Sequence, residues 1–340
     1  MDAAAHRVSL SRRLCLLGLL GAAGCTPVVM PAGRPAGDPA FGNKAFVTAD
    51  GARLPYVSWM PEGQWEGRPR AILLALHGFG DYSFNFFEIP APLFTEQGVG
   101  VFAYDQRGFG AAPHRGYWPG TATLAGDAAA VARLLAARYP GVPVFLAGES
   151  MGAAVALVTM TEAEPPPVAG VVLLAPGVRG RAAMGEFAWK TLEIAAHAIP
   201  AVGFSGSAPG FTPTDNEEAM RRWGRDPLTL RTFRVDLVYG LVDLMDRALE
   251  AAPRLRAPTL LLYGGEDRIV PQGPVRRLVG AFDPAAPARL GFYPKGHHLL
   301  LRDRERAVVA RDIVAWMEEP AEPLPSGAEA AGRAWLAKAG

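Results

Sequence analysis

Continuous apolar runs stand at residues 71–76 and 99–104, and further strands are read at 142–147, 168–174, 258–263 and 290–293, with helical stretches between most of them. A strand that is apolar at every position has no face to give to water, so both of its faces must be covered. Alternating strand and helix achieves this by holding a mostly parallel sheet between two helical layers, and the class predicted is α/β. Helices are read at 87–97, 121–139, 151–161, 275–282 and 305–316; the second puts Leu124, Ala128, Val131, Leu134 and Leu135 on one side. Two earlier strands, 44–48 and 54–59, flank Asp50-Gly51 as in a hairpin. The rhythm breaks over 179–254, where helical stretches at 186–198, 216–222 and 229–249 come without a clear strand. Such an insertion between two strands is expected to form a helical lid over the site that the strand ends build.

Charge excludes one class of partner. The 34 basic and 33 acidic residues leave a formal net charge of +1, with no basic stripe of the kind nucleic acid requires. Residues 1–25 read as an export signal, because Arg7, Arg12 and Arg13 precede an uncharged run over 14–23 that is shorter than the ~20 residues of a bilayer span. That run ends in Ala22-Ala23-Gly24-Cys25, which resembles a bacterial lipobox and makes Cys25 the candidate for lipidation; Ser11-Arg12-Arg13-Leu14 is similar to part of a twin-arginine signal. The expected location is the bacterial cell envelope, either periplasmic or held at the membrane through Cys25 without spanning it. The two cysteines are Cys15 and Cys25, so the body of the chain holds no disulfide, thiol nucleophile or thiolate zinc site. Residues 26–40, rich in Pro, Gly and Ala, read as a tether; the folded domain is expected over 41–318, and the tail 319–340 has no assigned role.

The chemistry is carried by short stretches between these elements. Gly148-Glu149-Ser150-Met151-Gly152 lies between an apolar strand and a helix. A serine on so sharp a turn needs small residues two before and two after it, here Gly148 and Gly152, if strand and helix are to approach. The turn aims the Ser150 hydroxyl out of the sheet and leaves the Met151 N–H at a helix N-terminus, where it can stabilise an oxyanion. His77-Gly78-Phe79-Gly80 follows another buried strand and offers the Phe79 N–H as a second donor, with His77 read as structural. A serine hydroxyl is a poor nucleophile until a histidine takes its proton, and that histidine needs a carboxylate to fix its tautomer. Asp267, at the end of 260–267, is chosen for the carboxylate over its neighbour Glu266; Asp243 and Asp246 read as solvated helix faces. The histidine is one of the pair His297-His298, neither of which has other metal ligands at suitable spacing, so no metal site is expected.

Chain order Ser, Asp, His is that of α/β-hydrolases. The chain resembles the monoacylglycerol lipase and lysophospholipase group of that fold, related to the serine aminopeptidase-like branch. The likeness runs from about Phe41 to Glu318 through His77-Gly78-Phe79-Gly80-Asp81, Asp105-Gln106-Arg107-Gly108-Phe109-Gly110, Gly148-Glu149-Ser150-Met151-Gly152, Gly265-Glu266-Asp267-Arg268-Ile269-Val270-Pro271 and His298-Leu299-Leu300 with Asp303. In that group the histidine stands five residues before an aspartate, which implies His298 rather than His297. The resemblance implies Ser150 as nucleophile, Asp267 and His298 as its partners, the Phe79 and Met151 amides as oxyanion hole, and Asp105 and Arg107 as turn builders. It also implies a single-chain lipid ester or other small-molecule substrate, cleaved through an acyl-enzyme with no dissociable cofactor. Ala153 stands where relatives often have another glycine.

The insertion holds Phe187, Trp189, Leu192, Phe204, Phe211, Trp223, Phe233 and Leu241, which are read as lining an acyl tunnel or as the ordinary core of its helices. An aminopeptidase would instead need an acidic anchor for a substrate amine, for which Glu217 and Glu218 are the candidates. A non-catalytic binding protein fits a chain with all the triad residue types in order less well.

Overall fold

The structure, a computed structural model, describes residues 26–65, 67–205 and 212–338. Cys15, Cys25 and the rest of the expected signal, together with Phe211, lie outside the described residues. The strands in chain order are β1 (Ala40–Phe41), β2 (Ala45–Val47), β3 (Arg53–Trp59), β4 (Ala71–Leu76), β5 (Val99–Tyr104) and β6 (Val144–Glu149). They continue as β7 (Gly170–Leu174), β8 (Gly203–Ser205), β9 (Thr232–Arg234), β10 (Thr259–Gly264) and β11 (Ala288–Tyr293). The helices are α1 (Ser83–Phe87), α2 (Ala91–Thr95), α3 (Thr121–Arg138), α4 (Met151–Thr159), α5 (Gly180–Met184) and α6 (Glu186–Ala198). After them come α7 (Glu217–Arg225), α8 (Val235–Ala251), α9 (Gln272–Ala281), α10 (Arg306–Glu318) and α11 (Ala328–Ala337).

Among the described residues the main sheet runs β1-β2-β3-β5-β4-β6-β7-β10-β11, antiparallel from β1 to β5 and parallel beyond. β4, β5, β6, β7 and β10 are buried at every position, as their composition demands. One face packs Leu124 and Val131 of α3, Met151 and Val155 of α4, and Leu237 of α8. The other packs Phe86 of α1, Phe94 of α2 and Ile313 of α10. Chain order reverses at β4, whose neighbours are β5 and β6, and crevices for ligands form at such a reversal. The pairing of Leu76 with Gly148 sets the loop after β4 directly beside the turn after β6.

Several expectations need correcting. The helix read at 87–97 is reduced to α2 at 91–95, with Pro90 at its N-cap, and a separate α1 ends at Phe87. The strand read at 142–147 is shifted to 144–149, which carries Glu149 onto the buried end of β6. The insertion contains an antiparallel ribbon, β8 with β9, whose three-residue strands are too short for a periodic signal. The 26–40 segment is laid against the body: Val29 bridges Trp118, the Ala32 N–H donates to Thr123 Oγ1, and the Ala36 N–H donates to Ala49 O. Chain that finds partners for its backbone amides is no free tether. The tail folds as α11 against β11, where Trp335 stacks on Phe292 at 5.2 Å and donates its indole N–H to Gln272.

Candidate active site

Ser150 sits between β6 and α4 with φ 54° and ψ −113°, a left-handed backbone that costs a non-glycine residue about 1–3 kcal/mol. Its surroundings hold it there. The Ser150 N–H donates to Leu174 O at 2.9 Å, and Ser150 O accepts the Gly177 N–H at 2.8 Å. A Cβ at Gly148 would lie 2.2 Å from Gly152 O, and one at Gly152 would lie 2.1 Å from Leu76 O. Only glycine fits at either place. Met151 opens α4, so its N–H has no intrahelical acceptor. Gly78 lies against the same serine, its Cβ position 3.5 Å from Ser150 Cβ, and Phe79 follows it in the loop after β4.

The structure brings His298 and Asp267 together. His298 Nδ1 donates to Asp267 Oδ2 at 2.8 Å, and both side chains are buried. The other oxygen of Asp267 accepts the Ile269 and Val270 N–H groups at 2.8 and 3.0 Å, which fixes the carboxylate in its loop. Glu266 is half exposed and faces Arg268, while Asp243 and Asp246 both bond Arg181. Burial presses the His298 pKa down, but the charge and hydrogen bond of Asp267 outweigh it, and the pKa is raised above the ordinary histidine value. Asp303 accepts the His297 N–H at 2.7 Å and closes the loop that presents His298.

His77 is structural in the sense expected. Its Nδ1 donates to Gly78 O at 2.9 Å while Nε2 accepts the Gln106 N–H at 3.0 Å. Both ring nitrogens are spent in the neutral form, and burial lowers the pKa accordingly. Arg107 builds its turn by bonding Thr48, Asp50 and Asp127. Asp105 does the same by accepting from Ser83 and Ala111.

The sequence reading missed a buried ion cluster beside the serine. Arg302 reaches Asp81 Oδ2 at 2.8 Å and Glu149 Oε1 at 3.0 Å, with all three side chains buried. Burial pushes the Glu149 pKa up against the pull of Arg302 and His298. The signal was a carboxylate ending an otherwise apolar strand, since a buried charge needs a partner. Asp215, His297 and Asp303 bring ligand atoms within 4.8 Å of one another. Their oxygens already cap backbone amides, Asp303 that of His297 and Asp215 that of Arg304, so the group reads as a loop closure.

Ser150 and His298 open on one cavity of about 470 Å³, within the ~300–1,000 Å³ range of small-molecule sites. Gly78, Phe79, Met220, Met245, Ile269 and Leu299 help to line it. Of the insertion residues expected there, Trp223, Phe233 and Leu241 take part. The Phe233 ring stacks on Phe79 at 4.9 Å. Trp189 packs instead on Tyr239, Leu192 is half-buried on α6, and Phe187 and Phe204 face outward. Glu217 and Glu218 are exposed on the first turn of α7.

A serine elbow at the reversal point of this sheet, facing a histidine–aspartate pair, defines an α/β-hydrolase. The family described as "Serine aminopeptidase, S33" matches residues 67–305, and the chain belongs to it. Human monoglyceride lipase is 30% identical over 230 residues, 66% of this chain and 73% of that protein. The monoacylglycerol lipase of Mycolicibacterium smegmatis is 23% identical, over 80% of this chain and 95% of its own. Among solved structures, Paleococcus ferrophilus monoacylglycerol lipase superposes with a TM-score of 0.64 at 25% identity, covering 78% of this chain and 98% of that one. A soluble variant of the Saccharomyces cerevisiae monoglyceride lipase, in complex with a substrate analog, gives 0.65 at 18%, over 86% and 98%. The chain is a carboxylic ester hydrolase.

Proposed function

We propose that the protein hydrolyses single-chain lipid esters, monoacylglycerols or lysophospholipids, through a Ser150–His298–Asp267 triad. The observation that carries this reading is that the strained Ser150 elbow and His298, which is bonded to Asp267, line one largely apolar cavity. With Nδ1–H committed to Asp267, His298 keeps Nε2 as the basic atom. It takes the Ser150 proton as Oγ attacks the ester carbonyl, and the Phe79 and Met151 amides stabilise the tetrahedral oxyanion. The ester bond breaks, and His298 returns the proton to the departing alcohol. Water then gives its proton to His298 and attacks the acyl-enzyme; the acid leaves and Ser150 is restored. The names of the relatives support the glycerol ester in particular.

An aminopeptidase is the weaker reading. Glu217 and Glu218 lie outside the cavity lining, and the carboxylates that are inside, Asp81 and Glu149, share Arg302. The test is hydrolysis of glycerol monoesters, lysophospholipids and p-nitrophenyl esters of rising chain length beside an aminoacyl arylamide. Activity should peak at medium or long chains, and Ser150→Ala should lose on the order of a million-fold in turnover. Turnover that survives that substitution removes Ser150 from its role.

Export to the bacterial cell envelope, with a lipid on Cys25, belongs to the same proposal. Labelled palmitate should enter the protein in growing cells and be absent from a Cys25→Ala variant. Equal labelling of both would make the anchor wrong.

A further inference from the structure

One helix of the cavity wall is tied at both ends to the loops that flank the serine. Met220, Trp223 and Gly224 place α7 in that wall. At its N-terminal end the chain is bonded to the loop that presents His298. The Leu299 N–H donates to Pro213 O at 2.8 Å, and the Arg304 N–H donates to Asp215 Oδ1 at 2.8 Å. Asn216, the N-cap, works in both directions: its Oδ1 accepts the Ala219 N–H at 3.2 Å, while its Nδ2 donates to Arg302 O at 3.1 Å. An amide side chain carries an acceptor and two donors, so it can cap a helix and hold a neighbouring carbonyl at once.

The C-terminal end is bonded to the loop after β4. Asp226, the C-cap, accepts the Tyr82 hydroxyl at 2.7 Å with one oxygen and the Leu228 N–H at 2.8 Å with the other. The Leu230 N–H donates to Gly80 O at 2.8 Å. Arg222, in the last turn of α7, pairs with Glu88 at the end of α1. The same two loops are joined a second time by the buried pair of Arg302 with Asp81. Histidine loop, α7, β4 loop and ion pair therefore form a closed ring of connections.

The sheet alone relates these loops poorly. One follows β4 and the other β11, with β6, β7 and β10 standing between them. At about 4.8 Å per strand the two strand ends are roughly 19 Å apart, so both loops must reach back toward Ser150. From Asn216 to Asp226 the helix spans about 15 Å, enough to bridge most of that gap.

We infer that α7 is a crossbar that fixes the separation of the His298 loop from the Phe79 loop, with Asn216 and Tyr82 as its positioning residues. The catalytic consequence rests on the triad reading, in which His298 must reach Ser150 while the Phe79 amide meets the oxyanion. A misplacement of about 1 Å in such a constellation costs on the order of a hundredfold in rate. The crossbar itself is a statement about the fold and holds or fails without turnover.

The test uses the full chain with Asn216→Ser, Tyr82→Phe and the two together. Serine still caps the helix but is too short to hold Arg302 O, and phenylalanine keeps the buried ring without the hydroxyl. On p-nitrophenyl acetate, kcat should fall about tenfold in each single variant with KM nearly unchanged. Effects at sites about 15 Å apart normally multiply, but a bar released at either end is already loose. The double variant should therefore lose little more than the worse single one. A loss near a hundredfold in the double variant makes the two ends independent and overturns the crossbar, as does wild-type kcat in either single variant. Arg221→Gln, on the exposed side of α7, should match the wild type. An equal loss there also overturns the inference, since any change in the helix would then disturb the site. Hydrogen exchange gives the reading that needs no activity. In Asn216→Ser the Arg304 amide and, at the far end, the Leu230 amide should both exchange faster. An unchanged Leu230 amide overturns the crossbar. Ester cleavage that survives Ser150→Ala defeats the triad reading instead and leaves the exchange result to decide the crossbar.

Discussion

Around Ser150 the side chains are braced by buried neighbours, whereas helix α6 of the insertion is held on one side only. The serine, its flanking glycines, His298, Asp267, Arg302, Glu149 and Asp81 are tied by backbone contacts near 2 Å from would-be Cβ atoms or by buried charge-assisted bonds. α6 rests on α8 through Trp189 and Ala196 and leaves Phe187 and Ile194 in the open. A catalytic group must be held to a fraction of an ångström, so its supports crowd it from all sides. A surface that selects and admits substrate has no such requirement, and its stability can be low. The contrast predicts that substitutions in the first region act on catalysis and folding together. Those in the second should act on substrate choice or on nothing.

The largest effect after loss of the nucleophile belongs to Asp267. Asp267→Asn keeps the shape but removes the charge that raises the His298 pKa and fixes its tautomer. Turnover should fall on the order of ten-thousand-fold. The pH profile gives an independent check. In the proposed mechanism activity requires neutral His298, so in the wild type it should be lost as pH falls through the raised pKa. Without the Asp267 charge, burial dominates, the pKa drops, and the acid limb of kcat/KM in the residual activity should move to lower pH. An unmoved limb would mean that another group sets it.

Arg302→Met comes next, and it probes support rather than chemistry. Breaking a buried ion cluster strands Asp81 and Glu149 as unpaired carboxylates, at a cost of about 3–5 kcal/mol. Chemical denaturation should show that loss, and adding Asp81→Asn with Glu149→Gln should recover part of it. If the single variant is as stable as the wild type, the cluster does not hold the serine loop together, and the picture of a fully braced cradle is wrong.

The same contrast explains what could be read from sequence. Gly148, Ser150 and Gly152 were legible because sterics allow few alternatives at that turn, and β4, β5 and β7 because fully buried strands leave unbroken apolar runs. Asp267 and His298 were legible because a serine nucleophile needs both types, though choosing His298 over His297 required the family spacing. Arg302 was not, since nothing local marks an arginine that pairs across 153 residues with Glu149. The β8–β9 ribbon and the packing of 26–40 were hidden for a similar reason. Each is set by pairing with distant chain, Val29 with Trp118 and Ser205 with Thr232, rather than by any periodicity of its own. Within the insertion, Phe187 and Trp223 look alike as apolar letters, and only the fold separates an outward ring from one in the cavity.

That separation is open to a direct test at Trp223. Trp223→Ala enlarges the cavity wall without touching Ser150, His298 or their partners. For the longest esters kcat/KM should change about tenfold, the scale of a lost apolar contact worth ~1–3 kcal/mol, while p-nitrophenyl acetate is cleaved as before. A uniform drop across all chain lengths would instead place Trp223 among the supports of the cradle and blur the line between the two regions.

Phe187→Ser is the smallest effect and the sharpest check on the insertion's outer face. With 87% of the residue already in water, folding removes little of its surface from solvent, so deleting the ring forfeits almost no burial. Stability should stay within about 0.5 kcal/mol of the wild type, and hydrolysis of a soluble short ester should be unchanged. Thermal unfolding of the two proteins side by side decides it. A loss well beyond that margin would show that the ring is buried in the protein as it exists in solution, against another copy or another part of the chain, and α6 would then have no free apolar face to offer.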